Sequence, residues 1–363
     1  MNDAIIVLGG YGNFGARIAA ALAADRRWRV IVAGRDPRKA QTLAPAGTEP
    51  MALDAAAPDF ATRLARLGAG VLIHTAGPFQ GQDYTVASAC IDAGCHYVDI
   101  ADGRAYVGGI DALDARARSA GVLVASGASS LPALSSAAVD RLLPRFERIE
   151  SIRLGITSSS RPPGIATMRG VLGYVGRPIR RLESGRIRTV HGWQDLHLRR
   201  YPAPLGRRLL GACDVPDLEL FPRRYPGLHT VTFHAGLGMA ATTLATWGFS
   251  WLVRAGAIAD LADHAGPLRR LAGMMEPLGS AYSAMHVEAG GRGRDGAPLH
   301  RVWHVIAGRH HGPQIPCLPA IALARRLLRG QSVERGAMAC MGLLGVEEIL
   351  GAVPGLDLRV SEA

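Results

Sequence analysis

A glycine-rich loop between a short apolar strand and a helix is the feature that most constrains the fold of this chain. Residues 4–8 (AIIVL) are predicted to form the strand, and the loop Gly9–Gly15 (GGYGNFG) leads into a helix of small and apolar residues. Gly10, Gly12 and Gly15 give the spacing G-x-G-x-x-G, which lets the backbone turn tightly and approach a pyrophosphate at a helix N-terminus. Gly9 would then be the last packed residue of the strand. The loop predicts a dinucleotide site.

The same loop also fits a second pattern, because Gly9, Gly12 and Gly15 are spaced as G-x-x-G-x-x-G. That spacing is typical of short-chain dehydrogenases and of related sensor proteins that bind the cofactor without using it. Short-chain dehydrogenases need a Tyr-x-x-x-Lys pair, in which the lysine lowers the pKa of the tyrosine. Lys39 is the only lysine of the chain and Arg35 lies four residues before it, so this active site cannot be built.

Apolar strands alternate with helices over roughly the first 125 residues, a rhythm that predicts a parallel, doubly wound α/β sheet. Six strands are expected, ending near Leu8, Ala33, Leu53, His74, Ile100 and Ala125. Beyond them the rhythm changes, and longer strands with fewer helices between them predict a second domain with a mixed sheet. Its expected strands are Ser151–Thr157, Arg186–Val190, His229–Phe233, Ala284–Ala289 and His300–Ala307.

Two helices are predicted near the end of the chain, at Pro319–Leu328 and Ser332–Met341, and both would return to cover the first sheet. The length of 363 residues also favours two domains. The expected division is a dinucleotide-binding domain of residues 1–127 and 315–363, with residues 128–314 forming a substrate and dimerisation domain.

The end of the second strand bears on the choice between NAD and NADP. NAD-binding proteins usually place a carboxylate there for the ribose 2′-hydroxyl. This chain has Gly34-Arg35-Asp36 followed by Lys39, and arginine and lysine suit a 2′-phosphate. We therefore expect NADP, with NAD the less favoured alternative because of Asp36. Asp54, at the end of the third strand, is either an adenine contact or a helix cap.

Composition excludes several other classes of protein. The net charge of +11 is carried by arginines scattered along the chain, so a nucleic-acid stripe is not expected, whereas an anionic small-molecule substrate is. The five cysteines are odd in number and lack paired metal-ligand spacing, so we expect no metal site. Apolar strand residues begin at Ala4 with no signal peptide before them, which favours a cytoplasmic location.

One uncharged stretch, residues 235–253 (AGLGMAATTLATWGFSWLV), is about as long as a membrane span. Its alanine, glycine and threonine content makes transfer into lipid weakly favourable. We expect a buried helix or a helix at an oligomer interface, and membrane contact is the alternative.

Several segments resemble the saccharopine dehydrogenase-like NADP-binding family. The resemblance lies in "VLGGYGNFGARIAAALA", "AGRDPRKAQTLA", "IHTAGPFQGQDYTVASACIDAGCHYVDIADG" and "GASSLPALSSAAVDRL", and later in "GPQIPCLPAIALARRLLRG" and "RGAMACMGLLGVEEIL". It implies a Rossmann domain, an inserted α/β domain that carries the substrate site and often dimerisation, and final helices that return to the first domain. Its members include opine-type amino acid reductases, polyamine-pathway enzymes and trans-acting enoyl reductases.

The resemblance also implies roles for particular residues. The pyrophosphate would be held by Gly10, Tyr11, Gly12, Asn13, Phe14 and Gly15, and the 2′-phosphate by Arg35 and Lys39. The nicotinamide side would be formed by Thr75, Ala76, Gly77, Pro78 and Phe79, with Asp99–Asp102 beside them. The loop Ala128–Leu134 departs from the glycine-proline-glycine form that is usual in the family.

These observations predict an NADP-dependent oxidoreductase that transfers a hydride to or from a C=N or C=C bond, and the resemblance implies a homodimer. Hydride transfer often needs a proton donor, and the candidates at the strand ends are Asp102, Asp99 and Tyr84. His74 follows three apolar residues, which favours a satisfied core histidine, and Asp99 could equally be a structural hydrogen-bonding group. The alternatives are a non-catalytic NADP-binding sensor and an enoyl reductase that contacts lipid-linked substrates through residues 235–253.

Overall fold

The computed structural model describes residues 3–363, which form two compact units. The first unit runs up to Ala137 and includes Pro313–Pro354. With strands and helices numbered in chain order, its seven strands are β1 Ala4–Leu8, β2 Arg29–Gly34, β3 Glu49–Ala52, β4 Val71–His74, β5 His96–Asp99, β6 Leu123–Ser126 and β15 Gly336–Ala339. They lie in the order β15-β6-β5-β4-β1-β2-β3, and every pair is parallel. The α/β class with a doubly wound sheet is thus confirmed.

The strand order reverses between β1 and β4, which are neighbours in the middle of the sheet. Both are buried along their whole length, as expected for apolar runs covered by helices on both faces. In sheets of this kind ligands bind outside the carboxyl ends of the strands at such a reversal. Loop Gly9–Gly15 follows β1 and loop Thr75–Phe79 follows β4, so both predicted cofactor segments begin at this point.

The helices of the first unit follow from their sequences. They are α1 Asn13–Ala23, α2 Pro37–Leu43, α3 Phe60–Leu67, α4 Thr85–Asp92, α5 Arg104–Gly108, α6 Asp114–Ser119, α12 Leu318–Leu328 and α13 Val346–Leu350. Helix α7, Ser135–Leu142, contains the boundary between the units. It is preceded by a wide turn at Ser130–Leu134 rather than by more helix, because Leu131 is extended.

The helix predicted at Ser332–Met341 is wrong. Residues Gly336–Ala339 form β15, which pairs in parallel with β6 and adds a seventh strand to the sheet. The main-chain N–H of Ala337 also donates to the carboxylate of Asp114 at 2.9 Å. The strand has only four residues, too few to show the alternating pattern of a strand in the sequence. Its extended conformation is stabilised by pairing with the edge of β6.

The second unit comprises Ala138–Gly312 and Gly355–Ala363. Its strands are β7 Phe146–Thr157, β8 Pro178–Glu183, β9 Arg186–His191, β10 His197–Tyr201, β11 Gly206–Ala212, β12 Thr230–Gly236, β13 Ser283–Gly293, β14 Pro298–Ala307 and β16 Leu358–Glu362. Seven of them form a mixed sheet in the order β10-β11-β12-β7-β13-β14-β16, while β8 and β9 form a separate hairpin. Only β12 and β7 pair in parallel within this mixed sheet. All five strands expected here are present, and the expectation of a mixed sheet is confirmed.

The helices of the second unit are α8 Ile165–Gly173, α9 Asp217–Arg224, α10 Ala240–Arg254 and α11 Ala265–Met275. The uncharged stretch 235–253 is therefore not one helix, because its first residues complete β12 and α10 begins only at Ala240. Within residues 3–363, no helix has both the length and the apolar character needed to cross a membrane.

Candidate functional site

The loop Gly9–Gly15, here named the cofactor loop, is held tightly against the strand ends. Gly9 has a φ of +80°, and its N–H donates to the carbonyl of Ala33 at 2.8 Å. A Cβ on Gly9 would lie 2.9 Å from the main-chain nitrogen of Ala76, and one on Gly10 would lie 2.6 Å from the carbonyl oxygen of Val7. Gly9 is thus a turn residue that must be glycine, not simply the last packed residue of the strand.

Gly12 differs from the other glycines of the loop because it is exposed. It is the N-cap of α1, and no side chain caps the first turn of that helix. A Cβ on Gly12 would meet only the carbonyl oxygen of Gly9, at 3.0 Å, whereas a Cβ on Gly15 would clash with that oxygen and with Thr75 Oγ1. The uncapped N–H groups of α1 and the exposed backbone at Gly12, which has no side chain in the way, fit a pyrophosphate.

Two side chains near the loop were not identified from the sequence. Arg17, one turn into α1, donates to Asn13 Oδ1 at 2.6 Å, which places a cation beside the first turn of the helix. Cys317 is buried and its thiol contacts the carbonyl oxygen of Phe14 at 3.7 Å. Neither residue belongs to a recognisable motif, so only the structure brings them to the loop.

The end of β2 presents cations to solvent. Arg35 and Lys39 are exposed, and the carboxylate of Asp36 accepts from the N–H groups of Arg38 at 3.0 Å and Lys39 at 3.1 Å. Asp36 thus caps α2 and also lies 3.7 Å from the Lys39 ammonium. Because its carboxylate is used in this way, the group best placed for a ribose 2′-substituent is the pair of cations, which fits a phosphate.

Tyr11 connects the cofactor loop to the end of β2. Its ring covers Gly34 so closely that a Cβ there would clash with it, and its hydroxyl accepts from the N–H of Asp36 at 3.2 Å. Asp54, after β3, accepts from the N–H of Ala56 at 3.1 Å. That bond forms a turn of the Asx type, and because α3 begins at Phe60 with Asp59 as its N-cap, Asp54 is not the helix cap that was the alternative to an adenine contact.

The segment Thr75–Phe79 is fixed to its surroundings by side chains. Thr75 donates its N–H and its hydroxyl to the carbonyl of Leu8, at 2.8 and 2.9 Å, which ties β4 to β1. The amide of Gln82 donates to the carbonyls of Ala76 at 2.9 Å and Pro78 at 2.6 Å. Ala76 and Pro78 are exposed, whereas the Phe79 ring is buried, so Phe79 supports the segment from below.

An aromatic cluster lies under the ends of β4 and β5. His74 is buried, its Nδ1 lies 3.0 Å from the Tyr97 hydroxyl, and burial lowers its pKa to about 4. Tyr97 in turn lies 2.9 Å from the hydroxyl of Tyr106, and the Tyr84 hydroxyl donates to the carbonyl of Tyr106 at 2.7 Å. The neutral imidazole of His74 and the half-buried hydroxyl of Tyr84 thus both have structural partners.

Asp99 is the most deeply buried carboxylate of the strand ends. Its Oδ1 accepts from the N–H groups of Gly127 at 2.7 Å and Ala101 at 2.9 Å, and from Ser126 Oγ at 3.1 Å. Burial raises the pKa of this carboxyl to about 6, against the opposing effect of these donors. Asp99 therefore joins the loop after β5 to the loop after β6, which is the structural role that the sequence left open.

Asp102 lies three residues further on and is exposed. Its Oδ1 accepts from Gln80 Nε2 at 3.3 Å, which joins the loop after β5 to the loop after β4. Surrounding protein atoms desolvate the carboxyl and raise its pKa above the ordinary range. Of the three predicted proton donors, Asp102 is the one whose carboxylate combines access to solvent with a raised pKa.

In the second unit, polar residues gather on one face of the mixed sheet. His286 and Glu288 alternate along β13, and His304 lies opposite His286 on β14. The Tyr201 hydroxyl lies 2.9 Å from His286 Nδ1, and Arg199 pairs with Glu288. Polar residues that alternate along two adjacent strands are the sequence signal for this buried polar cluster, which was not predicted.

Two further polar residues of the second unit are held by partners. His234 Nε2 lies 3.2 Å from Asp195 Oδ2, and Arg161 Nε lies 3.0 Å from Glu276 Oε1. In the described chain, residues 3–363, no group of three or more His, Cys, Asp or Glu side chains is arranged to hold a metal ion.

Known proteins resemble this chain at two levels. Residues 5–125 match the model of the saccharopine dehydrogenase NADP binding domain. Saccharopine dehydrogenase (L-Glu forming) from Saccharomyces cerevisiae has a similar fold, with a TM-score of 0.69 and 14% identity over 99% of this chain and 100% of its own. Homospermidine synthase from Legionella pneumophila, solved with NAD, gives 0.59 and 10% over 99% and 92%. Amine dehydrogenase from Mycobacterium smegmatis gives 0.50 and 11% over 93% and 94%.

A search of curated protein sequences gives no match. At these identities the solved structures establish a shared fold for the chain. The family model reaches further for the first unit, because it covers the cofactor loop, the cations after β2 and the segment after β4. The resemblance noted from the sequence is confirmed for residues 5–125, which match a saccharopine dehydrogenase NADP-binding domain, and this match supports NADP as the dinucleotide.

Proposed function

We propose that the protein is an NADP-dependent oxidoreductase that transfers a hydride to or from a C=N or C=C bond of a small, anionic substrate. The observation that carries the proposal is the bond between Gln80 and Asp102. It joins the loops after β4 and β5 beside the strand reversal, where ligands of doubly wound sheets lie. A solvent-accessible carboxyl there is suited to proton transfer.

When bound, NADPH would supply the hydride in reduction and NADP+ would accept it in oxidation, while residues of the chain would orient the cofactor and move the proton. The cofactor loop would hold the pyrophosphate at the N-terminus of α1, while Arg35 and Lys39 would hold the 2′-phosphate. Asp102 would act as the general acid in reduction and as the base in oxidation, because a carboxyl with a raised pKa holds its proton closer to neutral pH. Asp99 and Tyr84 would position the loops.

Relatives of similar fold favour the C=N bond over the C=C bond. Their names include an amine dehydrogenase and an L-glutamate-forming saccharopine dehydrogenase, which places amines and amino acids among the compounds on which such folds act. The C=C alternative is retained because α10 exposes apolar side chains that could contact a lipid-linked substrate.

The test is turnover of NADPH with a panel of imines, 2-oxo acids with amines, and enoyl thioesters. We expect oxidation with at least one C=N substrate, and we expect Asp102→Asn to slow it about a hundredfold while NADPH affinity stays unchanged. Asp99→Asn is the matched variant, since it keeps an oxygen acceptor at the same position. NADPH binding without oxidation across the whole panel would favour a non-catalytic sensor and overturn the proposal.

A further inference from the structure

Helix α10 presents its apolar side to solvent and its hydroxyl side to the protein. Its buried residues are Thr243, Thr246, Ser250 and Val253. The three hydroxyls donate to main-chain carbonyls of the helix or its N-cap, and Thr243 Oγ1 also accepts from the N–H of Leu237 at 3.1 Å. The exposed side carries Leu244, Trp247, Trp251 and Leu252, each at least 37% exposed. A helix that only covers a sheet would be expected to point these groups the other way.

The same region of the second unit exposes further large apolar side chains. Helices α8 and α11 pack against each other, and Met239, just before α10, approaches Gly279, just beyond α11. Eight of the twelve exposed large hydrophobic side chains of the described chain belong to α8, α10, α11 and the turn that follows α11. They are Ile165, Leu244, Trp247, Trp251, Leu252, Leu271, Met274 and Leu278. Such a concentration marks an interaction surface rather than scattered exposure.

The charges of these three helices all have one sign. They carry four arginines, all exposed, and no aspartate or glutamate: Arg169, Arg254, Arg269 and Arg270. The Arg254 guanidinium lies 5.2 Å from the centre of the Trp251 ring, and the Trp247 and Trp251 rings lie 6.4 Å apart. Of the carboxylates nearby, Asp260 caps the turn before α11, Glu276 pairs with Arg161, and Asp263 is exposed just before α11.

We propose that α8, α10 and α11 form a docking face for the surface of an anionic lipid bilayer. Tryptophans beside arginines suit the boundary between headgroups and acyl chains, where the ring is half in lipid and the cation meets phosphate. With 15 residues, α10 is too short to span a bilayer and would lie in its plane. A second copy of the chain fits this face less well, because a two-fold contact would bring together helices whose charges are all arginines. The expected homodimer stays a prediction, and we do not assign its interface to this face.

The test uses the full chain and vesicles of phosphatidylcholine with phosphatidylglycerol in equal amounts. We expect the protein to sediment with these vesicles, to be released by salt, and to show a blue shift of tryptophan emission. Trp247→Gln with Trp251→Gln should weaken vesicle binding at least tenfold, and Arg254→Gln should weaken it about fivefold. Leu198→Gln, at an exposed leucine on β10, is the matched control and should bind as the unmodified protein does.

Three results would overturn the proposal. The unmodified protein could stay in the supernatant with these vesicles, or the double tryptophan variant could sediment as well as the control. Alternatively, the double variant could convert a dimer into a monomer in the absence of lipid, with no vesicle binding by either protein. That last result would assign the face to a second copy of the chain. Circular dichroism of each variant shows whether it is folded, and the Leu198→Gln control separates a general loss of apolar surface from loss of this face.

Discussion

At the scale of single residues, the cofactor loop shows how much backbone geometry a short motif contains. The spacing of Gly10, Gly12 and Gly15 was enough to predict the pyrophosphate loop, because each glycine of this motif has a known role in the path of the backbone. The role of Gly9 was not predicted, since its positive φ and its contact with Ala76 depend on β4, which is distant in sequence. The motif thus indicated the function of the loop, but it did not show that position 9 must also be glycine.

Two alanine substitutions in the loop should separate folding from binding. Gly15→Ala should destabilise the first unit by about 2 kcal/mol or more, because its Cβ would clash with the carbonyl of Gly9. Gly12→Ala should leave stability within about 1 kcal/mol and weaken NADPH binding at least tenfold, since the methyl group occupies the approach of the pyrophosphate. Thermal unfolding and NADPH titration measure the two effects. Equal binding by Gly12→Ala and the unmodified protein would contradict the pyrophosphate assignment.

The cations after β2 allow a direct test of cofactor choice. Arg35→Ala should weaken NADPH binding by about tenfold to a hundredfold, the usual worth of a charge-assisted bond to phosphate. NADH binding should change little, because that cofactor lacks the 2′-phosphate. Arg66→Ala removes the same charge from an exposed position on α3 and serves as the control. An unchanged NADPH affinity in Arg35→Ala would show that the 2′-phosphate lies elsewhere.

At the scale of elements, local pattern predicted the first unit better than the second. The strands of the first sheet are apolar runs followed closely by their helices, so their positions can be read along the chain. Strands β8, β10, β11 and β16 were missed, because most of their residues are exposed or only partly buried. The orientation of α10 could not be predicted from its sequence. Its hydroxyl residues are buried because they donate to nearby main-chain carbonyls, whereas its apolar residues are exposed.

The paired strands β13 and β14 should make the second unit sensitive to acid. Burial lowers the pKa of His304 from 6.5 to about 4, and neither ring nitrogen has a hydrogen-bond partner in residues 3–363. The unfolded chain therefore binds a proton at a higher pH than the folded one, and stability falls as pH falls from 6.5 towards 4. We expect this histidine to contribute up to about 2 kcal/mol of that loss.

His304→Phe should remove that share of the pH dependence. Urea unfolding at several pH values would show a shallower decline between pH 6.5 and 4 than in the unmodified protein. His264→Phe, at an exposed histidine, is the control and should leave the slope unchanged. If His304→Phe and the control behave alike, the imidazole is already protonated in the folded state or does not remain buried there.

At the scale of the whole molecule, the chain visits each unit twice. β15 joins the first sheet beside β6, and β16 joins the second sheet beside β14. Glu362 on β16 also bonds to Arg145 at 3.1 Å and pairs with Arg141. The sequence predicted that the final segment returns to the first sheet, and Pro313–Pro354 does so, whereas Gly355–Ala363 belongs to the second unit. Strand β16 is short and has no buried residue, so its sequence does not show which strand it pairs with.

A chain that ends after Pro354 should be impaired in the second unit alone. Loss of β16 uncovers the edge of β14 and leaves Arg141 and Arg145 without Glu362. We expect the melting temperature of the second unit to fall by roughly 5 °C or more, with an increased tendency to aggregate. NADPH affinity should be retained, because the cofactor loop lies in the first unit. Calorimetry with and without NADPH checks both statements, and an unaltered melting profile would contradict the role given to β16.

The late strands have a consequence for how the protein is made. While the ribosome is still adding residues of the second unit, β6 has left the exit tunnel but its partner β15, beginning at Gly336, does not yet exist. Helix α12, whose Leu318–Leu328 packs on α1, β4 and β5, is equally absent. Vectorial synthesis therefore cannot complete one unit before the next begins, and a growing chain presents an unfinished sheet edge to chaperones for most of its translation.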